Sequence, residues 1–410
     1  MKDMSAKTEN KAFELWTALS ILVYNIAILF YQYLGMILIL LVGILFALFF
    51  IKLHFKKWYI SQILSFLLIV YIPTSFVSIL GTSYGALPIT WFNLTTMILV
   101  ISILLSRFKI NFFFFSPLVM LIFGFFSLFK SIDITDSLKQ LLTIVLFLIS
   151  FFIGEFLSRY ESDQYIKKLK SLYILSVFSF SIIVIIQKVF SLWGIGLGYY
   201  AVLGTGREVF AGLMNDYSFA TLYVATGSII LVIDYVEKKS INILYLIILE
   251  SFFLISMLVI NSRTGLVAFA ITAFLYLVTK IIKGSIKSII IMALLCVILP
   301  SVLNYVVEIR GGQSFFDGSG RIGLLLEAGE IFYSHPLVGV GFGLNNLHIL
   351  TGFNVPHNVF VQYLAQFGII GSLIFFSNFV VLCYKYLKFK SNYFWVLLSI
   401  LIGSMLIPCQ

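Results

Sequence analysis

Thirteen stretches of about 20 mostly apolar residues, the length needed to cross a bilayer as an α-helix, follow one another along this chain. They lie near 13–31, 35–51, 59–80, 87–106, 112–130, 140–158, 171–190, 213–233, 240–260, 264–282, 286–306, 359–386 and 392–408. The chain is 61% apolar and only 11% charged, whereas soluble domains carry about 25% charged residues. The expected fold is therefore all-α: a polytopic integral membrane protein with about twelve to thirteen transmembrane helices and a long exoplasmic loop carrying an amphipathic helix. The polar run Met1–Lys11 precedes an apolar segment that is followed at once by another, the pattern of a retained anchor and not of a cleaved secretory signal. The run 358–387 is too long for one simple span.

Cytoplasmic loops of membrane proteins hold the excess of Lys and Arg. The N-terminus and every second connection after it carry 20 of the 27 basic residues, which puts the N-terminus inside, places the segment 310–358 outside and leaves Gln410 outside. Four parts follow: N-terminal transmembrane helices over 1–200, transmembrane helices with outer-face arginines over 201–306, the exoplasmic loop over 307–358 and C-terminal helices over 359–410. Topology accounts for the net charge of +10, which leaves no basis for nucleic-acid binding. Cys296, Cys383 and Cys409 are widely spaced in or at the end of apolar segments and are expected to pack, with no disulfide framework or metal site.

The outer segment reads RGGQSFFDGSGRIGLLLEAGEIFYSHPLVGVGFGLNNLHILTGFNVPHN and holds three of the four histidines. A polar island of this kind is where a membrane protein keeps its chemistry. The basic residues assigned outside are Lys130, Lys139, Lys188, Arg207, Arg263, Arg310 and Arg321, four of the chain's six arginines. The guanidinium is a permanently charged planar fork that grips phosphate oxygens in pairs. Arginines on the side that otherwise avoids positive charge therefore suit an anionic ligand. Anchoring to lipid headgroups, or pairing with Glu208, Glu308 or Asp317, is the alternative for each.

Arg207 stands in GTGREVFAGLMNDYS, Arg263 in NSRTG at a tight turn between two spans, and Arg321 in DGSGR. Small neighbours such as Ser319 and Gly320 let backbone amides approach a ligand. The apolar positions 322, 325, 326 and 332 predict a short amphipathic surface helix over Ile322–Ser334, capped by Asp317 or Ser319, whose N-terminal amides favour a phosphate beside Arg321. A capped surface helix with no ligand is the plain alternative. Pro336 ends that helix, and Gly339, Gly341 and Gly343 follow at alternate positions. No strand precedes them and no Lys-Ser/Thr pair follows, so a nucleotide loop is rejected. His357 and Asn358 open the next span, where the imidazole is suited to accept a proton near neutral pH or to cap the helix. His335 is read as structural, and Glu250, mid-span, is expected to face the protein interior.

Taken in order, SRTG at a span end, GSGR, the amphipathic helix, HPLVGVGFG, and HN before a glycine-bearing span resemble the O-antigen ligase and polymerase superfamily of bacterial surface glycan synthesis. The resemblance covers 204 to about 372, with Arg207–Asp216 a looser echo of that family's Arg-Gly-Asn/Asp region. It implies an inverting, metal-independent membrane glycosyltransferase in the bacterial cytoplasmic membrane, acting at the outer face on undecaprenyl-diphosphate-linked oligosaccharide, with no cofactor. By motif position Arg263 and Arg321 hold the donor's pyrophosphate and His357 assists the acceptor hydroxyl, with Arg207, Asn358, Ser319 and Gly320 as substrate-binding residues. The family often ends its chain in the cytoplasm, whereas the count here leaves Gln410 outside, which implies either a miscounted span near 359–408 or a short chain. The absence of a DxD-like acidic pair in the outer loops fits a site that relies on arginine charge. Membrane lipids surround such an enzyme, and a chain-length regulator and a flippase are its candidate partners.

Three functions compete. A polysaccharide polymerase leads: it transfers the growing glycan of an O-antigen, capsule or exopolysaccharide to a lipid-linked repeat unit. A ligase that delivers finished glycan to a lipid A core or a protein shares the donor chemistry. A flippase for lipid-linked oligosaccharide has a similar span count, but transporters show internal repeats and charges within the bundle, and only Glu250 lies deep in a span here.

Overall fold

The structure is a computed structural model of the chain and describes residues 2–30, 33, 35–79, 89–106, 110–160, 162–203, 206–237, 242–309, 321–352 and 358–406. Helices α1 (Lys2–Leu29), α2 (Met36–His54), α3 (Ile60–Val70), α4 (Trp91–Leu105), α5 (Phe112–Leu128), α6 (Ile134–Tyr160) and α7 (Asp163–Ser191) lead into an antiparallel ribbon of β1 (Tyr199–Leu203) and β2 (Arg207–Gly212). After it come α8 (Tyr217–Glu237), α9 (Ile243–Ile260), α10 (Arg263–Ile282), α11 (Ile286–Ile309), α12 (Arg321–Ser334), α13 (Leu344–Thr351), α14 (Val359–Lys388) and α15 (Tyr393–Ser404). Among the described residues nine helices are long and apolar enough to cross a membrane, and α3, α4, α5 and α15 are shorter apolar helices. Each of these helices falls on one of the thirteen expected apolar segments, nine at spanning length and four shorter, with α3 covering only 60–70 of the expected 59–80. The all-α polytopic architecture is therefore what the chain adopts, with one short ribbon among the described residues.

Helix starts follow local polar chemistry. Thr90 accepts from the Asn93 amide at 3.1 Å and Asn111 from the Phe114 amide at 3.1 Å, each satisfying a backbone donor that the first turn leaves without a partner.

The chain forms two compact units. The first comprises Met1–Arg107, Tyr160–Gly227 and Leu244–Ser262. Its helices are joined by side-chain pairs inside the apolar interior: Tyr24 Oη lies 3.1 Å from Thr74 Oγ1, and Asn25 Nδ2 donates to Ser179 Oγ at 2.9 Å. Such pairs contribute about 0.6 kcal/mol each in lipid, enough to fix the rotation of one helix on another. At the end of α7, fully buried Gln187 accepts from the Gly212 amide at 2.8 Å and donates to the Tyr199 carbonyl at 2.8 Å. One side chain thus ties the two strands together at the open end of the ribbon. The ribbon lies on the run YYAVL–GTG–REVFAG, where aromatic and branched residues flank a glycine turn. That is a hairpin signal that a reading for membrane spans passes over.

The second unit comprises Phe108–Arg159, Ser228–Ile243 and Arg263–Gln410. Its core gathers Met120, Leu141, Ile144 and Leu148 with Phe342, Tyr363, Phe367 and Phe375. Lys385 pairs with Glu155 at 2.6 Å, and Asn378 Nδ2 donates to Ser116 Oγ at 2.6 Å. The length excess of the run 358–387 has a structural cause: α14 is broken at Gly368, which stands at φ 60°, ψ −167°. Residues 359–367 form a separate half-helix, and 369–388 are left as a segment of membrane-spanning length.

Candidate functional site

The polar island folds around that break. A helix interrupted in mid-course frees backbone donors and acceptors that lipid cannot satisfy, so the gap must be closed by protein. The segment 336–341 closes it. The amides of Ile369 and Ile370 donate to the carbonyls of Pro336 and Leu337 at 2.8 and 3.2 Å, and the amides of Val340 and Gly341 donate to the carbonyls of Ala365 and Gln366 at 3.1 and 3.0 Å. This is the work of the GVGFG run. A side chain on Gly339 would come within 2.4 Å of the Gln366 carbonyl, and Gly339 itself stands at φ 66°. Gly339 serves backbone-to-backbone approach, whereas Gly341 and Gly343 lie against the Ser131 hydroxyl and the Asp136 carboxylate.

A buried polar cluster extends the closure to the start of α6. Asn346 Oδ1 accepts from the Ile132 and Asp133 amides at 3.0 and 2.9 Å, and its Nδ2 donates to Ser137 Oγ at 2.9 Å. Asp136 accepts from the Asn345 amide at 2.9 Å, and Asp133 from the Asn345 side chain at 3.0 Å. The Asp133 carboxyl is held below the usual carboxylate range, first by the Asp136 amide and then by Asn345. Gln140 on α6 and Gln366 on the half-helix complete the cluster: Gln140 Nε2 donates to Gln366 Oε1 at 3.2 Å, Gln366 Nε2 donates to the Gly343 carbonyl at 2.9 Å, and the Gly343 amide donates to Gln140 Oε1. None of these polar residues was selected from the sequence. The available signal was glutamine in otherwise apolar helices, where a polar side chain is costly and marks a specific role.

The helix expected over Ile322–Ser334 forms as α12, with Arg321 as its first residue. It joins the half-helix in an apolar cluster of Ala328, Val340, Leu347 and Ala365, with Ile331 and Val361 alongside. The buried side of α12 is set by Ala328, while Leu326, expected on the apolar face, is 65% exposed. A small residue permits close helix approach, and the larger leucine is left on the outer surface. Asn358 caps the half-helix, its Oδ1 accepting from the Phe360 and Val361 amides at 3.0 and 3.2 Å. His335 is exposed and its Nδ1 lies 2.9 Å from Ser334 Oγ.

Arg263 is half-buried and opens α10 after the two-residue turn Asn261–Ser262, in which Asn261 adopts φ 61°. Neither α10 nor α12 has an acidic residue in its first turn. Arg207 belongs to the first unit, where it begins β2 and stacks over the Tyr217 ring at 5.4 Å. Beside it, buried Asp216 accepts from the Ser218 and Phe219 amides at 2.6 and 3.0 Å, and burial raises its pKa. Ser319, Gly320 and His357, together with the side chain of Arg321, lie outside the described residues. Of the expected site residues, the second unit thus carries Arg263, Arg321 and Asn358, and the first carries Arg207.

Apolar helices of spanning length, with a polar segment folded against a broken helix, define a multi-pass α-helical membrane protein. Residues 248–376, which contain α10, α12, α13 and the helix break, match the family model described as O-antigen ligase. The match supports the O-antigen ligase/polymerase superfamily for this segment. The match supports a function of ligase/polymerase type, and members of that family are glycosyltransferase-like enzymes that act on polysaccharides. No curated protein and no solved structure matches the chain.

Proposed function

We propose that the protein is a polymerase of bacterial surface polysaccharide (O-antigen, capsule or exopolysaccharide), working at the outer face of the cytoplasmic membrane. In the proposed reaction the growing glycan leaves undecaprenyl diphosphate and joins a lipid-linked repeat unit. The acceptor hydroxyl oxygen bonds to the anomeric carbon while the bond from that carbon to the diphosphate oxygen breaks, so configuration inverts. The hydroxyl proton passes to His357, and the bonding electrons leave with the diphosphate. Arg263 and Arg321 hold the developing negative charge without a metal, and Arg207, Asn358, Ser319 and Gly320 bind substrate.

The observation that carries this reading is the position of Arg263 and Arg321 as the first residues of α10 and α12. A helix N-terminus carries partial positive charge and attracts an anion. A phosphate oxygen bound there meets helix amides and guanidinium together. The second reading is a ligase that passes finished glycan to a lipid A core or a protein; the family match does not separate the two.

Deleting the gene in its host and measuring the length of lipid-linked glycan separates the two. Polymerase function gives single repeat units accumulating on the carrier; full-length polymer stranded there would establish the ligase. His357→Ala is expected to lose turnover while still binding the lipid donor. Loss of binding in that variant would make His357 a donor contact instead of the base.

A further inference from the structure

We infer that Gln140, on α6 and outside the segment matched to the family, is a positioning residue for the transfer reaction, acting through Gly343 and Gln366 on the half-helix 359–367. The inference rests on the proposed role of His357, which precedes Asn358, the cap of that half-helix, in the chain.

Because α14 is broken at Gly368, the half-helix does not inherit its placement from the spanning segment that follows. Its position must be set by what it touches. Backbone bonds to segment 336–341 hold its C-terminal end, but that segment is itself glycine-rich and needs an external reference. Gln140 supplies one. Its donor goes to Gln366, the donor of Gln366 goes to the Gly343 carbonyl, and the Gly343 amide returns to Gln140. The three bonds form a closed ring in which α6, the glycine segment and the half-helix each contribute one member. Gly343 stands at φ 108°, and a side chain there would meet the Asp136 carboxylate at 2.5 Å, so the ring is built around a glycine.

Cohesion alone would not call for amides here. The same interior packs Leu141, Ile144, Phe342 and Phe367 against one another, and apolar side chains at 140 and 366 would bury as well. Gln140 is 8% and Gln366 0% exposed. Directional amides bonded to one another at such depth specify one arrangement and reject slipped ones. A small displacement of a reacting group costs up to roughly 100-fold in rate, so a ring that fixes the half-helix acts on kcat.

The test uses the full-length protein in lipid nanodiscs with lipid-linked repeat units extracted from the deletion strain. Gln140→Met, Gln366→Met and the double variant are compared per folded protein. Each single variant is expected to lower kcat roughly 10- to 100-fold and to leave KM for the donor within about twofold. The double variant should lose no more than the worse single one, since both break one ring. Placement is read independently by thiol labelling of Leu364→Cys in a background lacking Cys296, Cys383 and Cys409, and Gln140→Met should speed that labelling. An unchanged kcat, unchanged labelling, or a loss of activity that only tracks loss of folded protein would each overturn the inference. If His357→Ala keeps wild-type turnover while Gln140→Met does not, the base assignment fails and the positioning role stands.

Discussion

Arg321→Lys is expected to leave the protein in the membrane in wild-type amounts while removing most of its transfer activity, a fall of roughly 100-fold or more. Lysine retains the charge and the helix-forming tendency that α12 needs at its first residue, so the fold has no reason to suffer. What it lacks is the planar fork: an ammonium is a strongly hydrated point charge that cannot grip two phosphate oxygens at fixed spacing. The comparison is in vitro turnover per membrane-inserted protein, with Arg263→Lys in parallel. Wild-type turnover in Arg321→Lys would take Arg321 out of the site, whereas equal losses in both variants would be the signature of a shared leaving group.

The second large effect is on stability. Gly368→Ala is expected to destabilise the protein by about 3 kcal/mol, the upper range for forcing an ordinary residue into a backbone region open only to glycine. Gly368 stands at φ 60°, ψ −167°. An added Cβ would lie 2.4 Å from the Leu337 carbonyl carbon and 2.5 Å from the Val338 amide nitrogen. Both are backbone atoms, so no side-chain rotation relieves the clash. Gly329→Ala is the control: a Cβ there meets nothing within 4 Å, and a helical Gly→Ala change gains a few tenths to about 1 kcal/mol. Thermal unfolding of detergent-purified variants reads both. A Gly368→Ala melting temperature equal to wild type would mean that α14 is not held open against segment 336–341.

Much of the architecture was legible in the chain. Apolar runs of spanning length predict helices, and the described helices fall on them, because a segment buried in lipid must satisfy its own backbone. The helix over 322–334 was readable from its spacing, and the excess length of 358–387 signalled that the last long run could not be one span. The ribbon at 199–212 was not read, since its glycine turn sits among residues that also fit the end of a membrane helix. Gly339, Gly341 and Gly343 were visible as a pattern, but their purpose was not: it depends on Ala365 and Gln366, which lie more than twenty residues away in the chain.

The sequence by itself determined the membrane class, the helices, the concentration of arginine in the lysine-poor connections and the motif order that resembles the family. Those properties depend on composition and on spacing along one strand of chain, where hydrophobic length and charge bias act locally. Only the tertiary structure decided that α14 is two helices, that the glycine segment closes the gap between them, and that Gln140, Gly343 and Gln366 form one ring. These arrangements turn on hydrogen bonds between residues 23 to 226 positions apart, and on which buried donor finds which acceptor, a matching that local chemistry permits in many ways and three-dimensional packing allows in one.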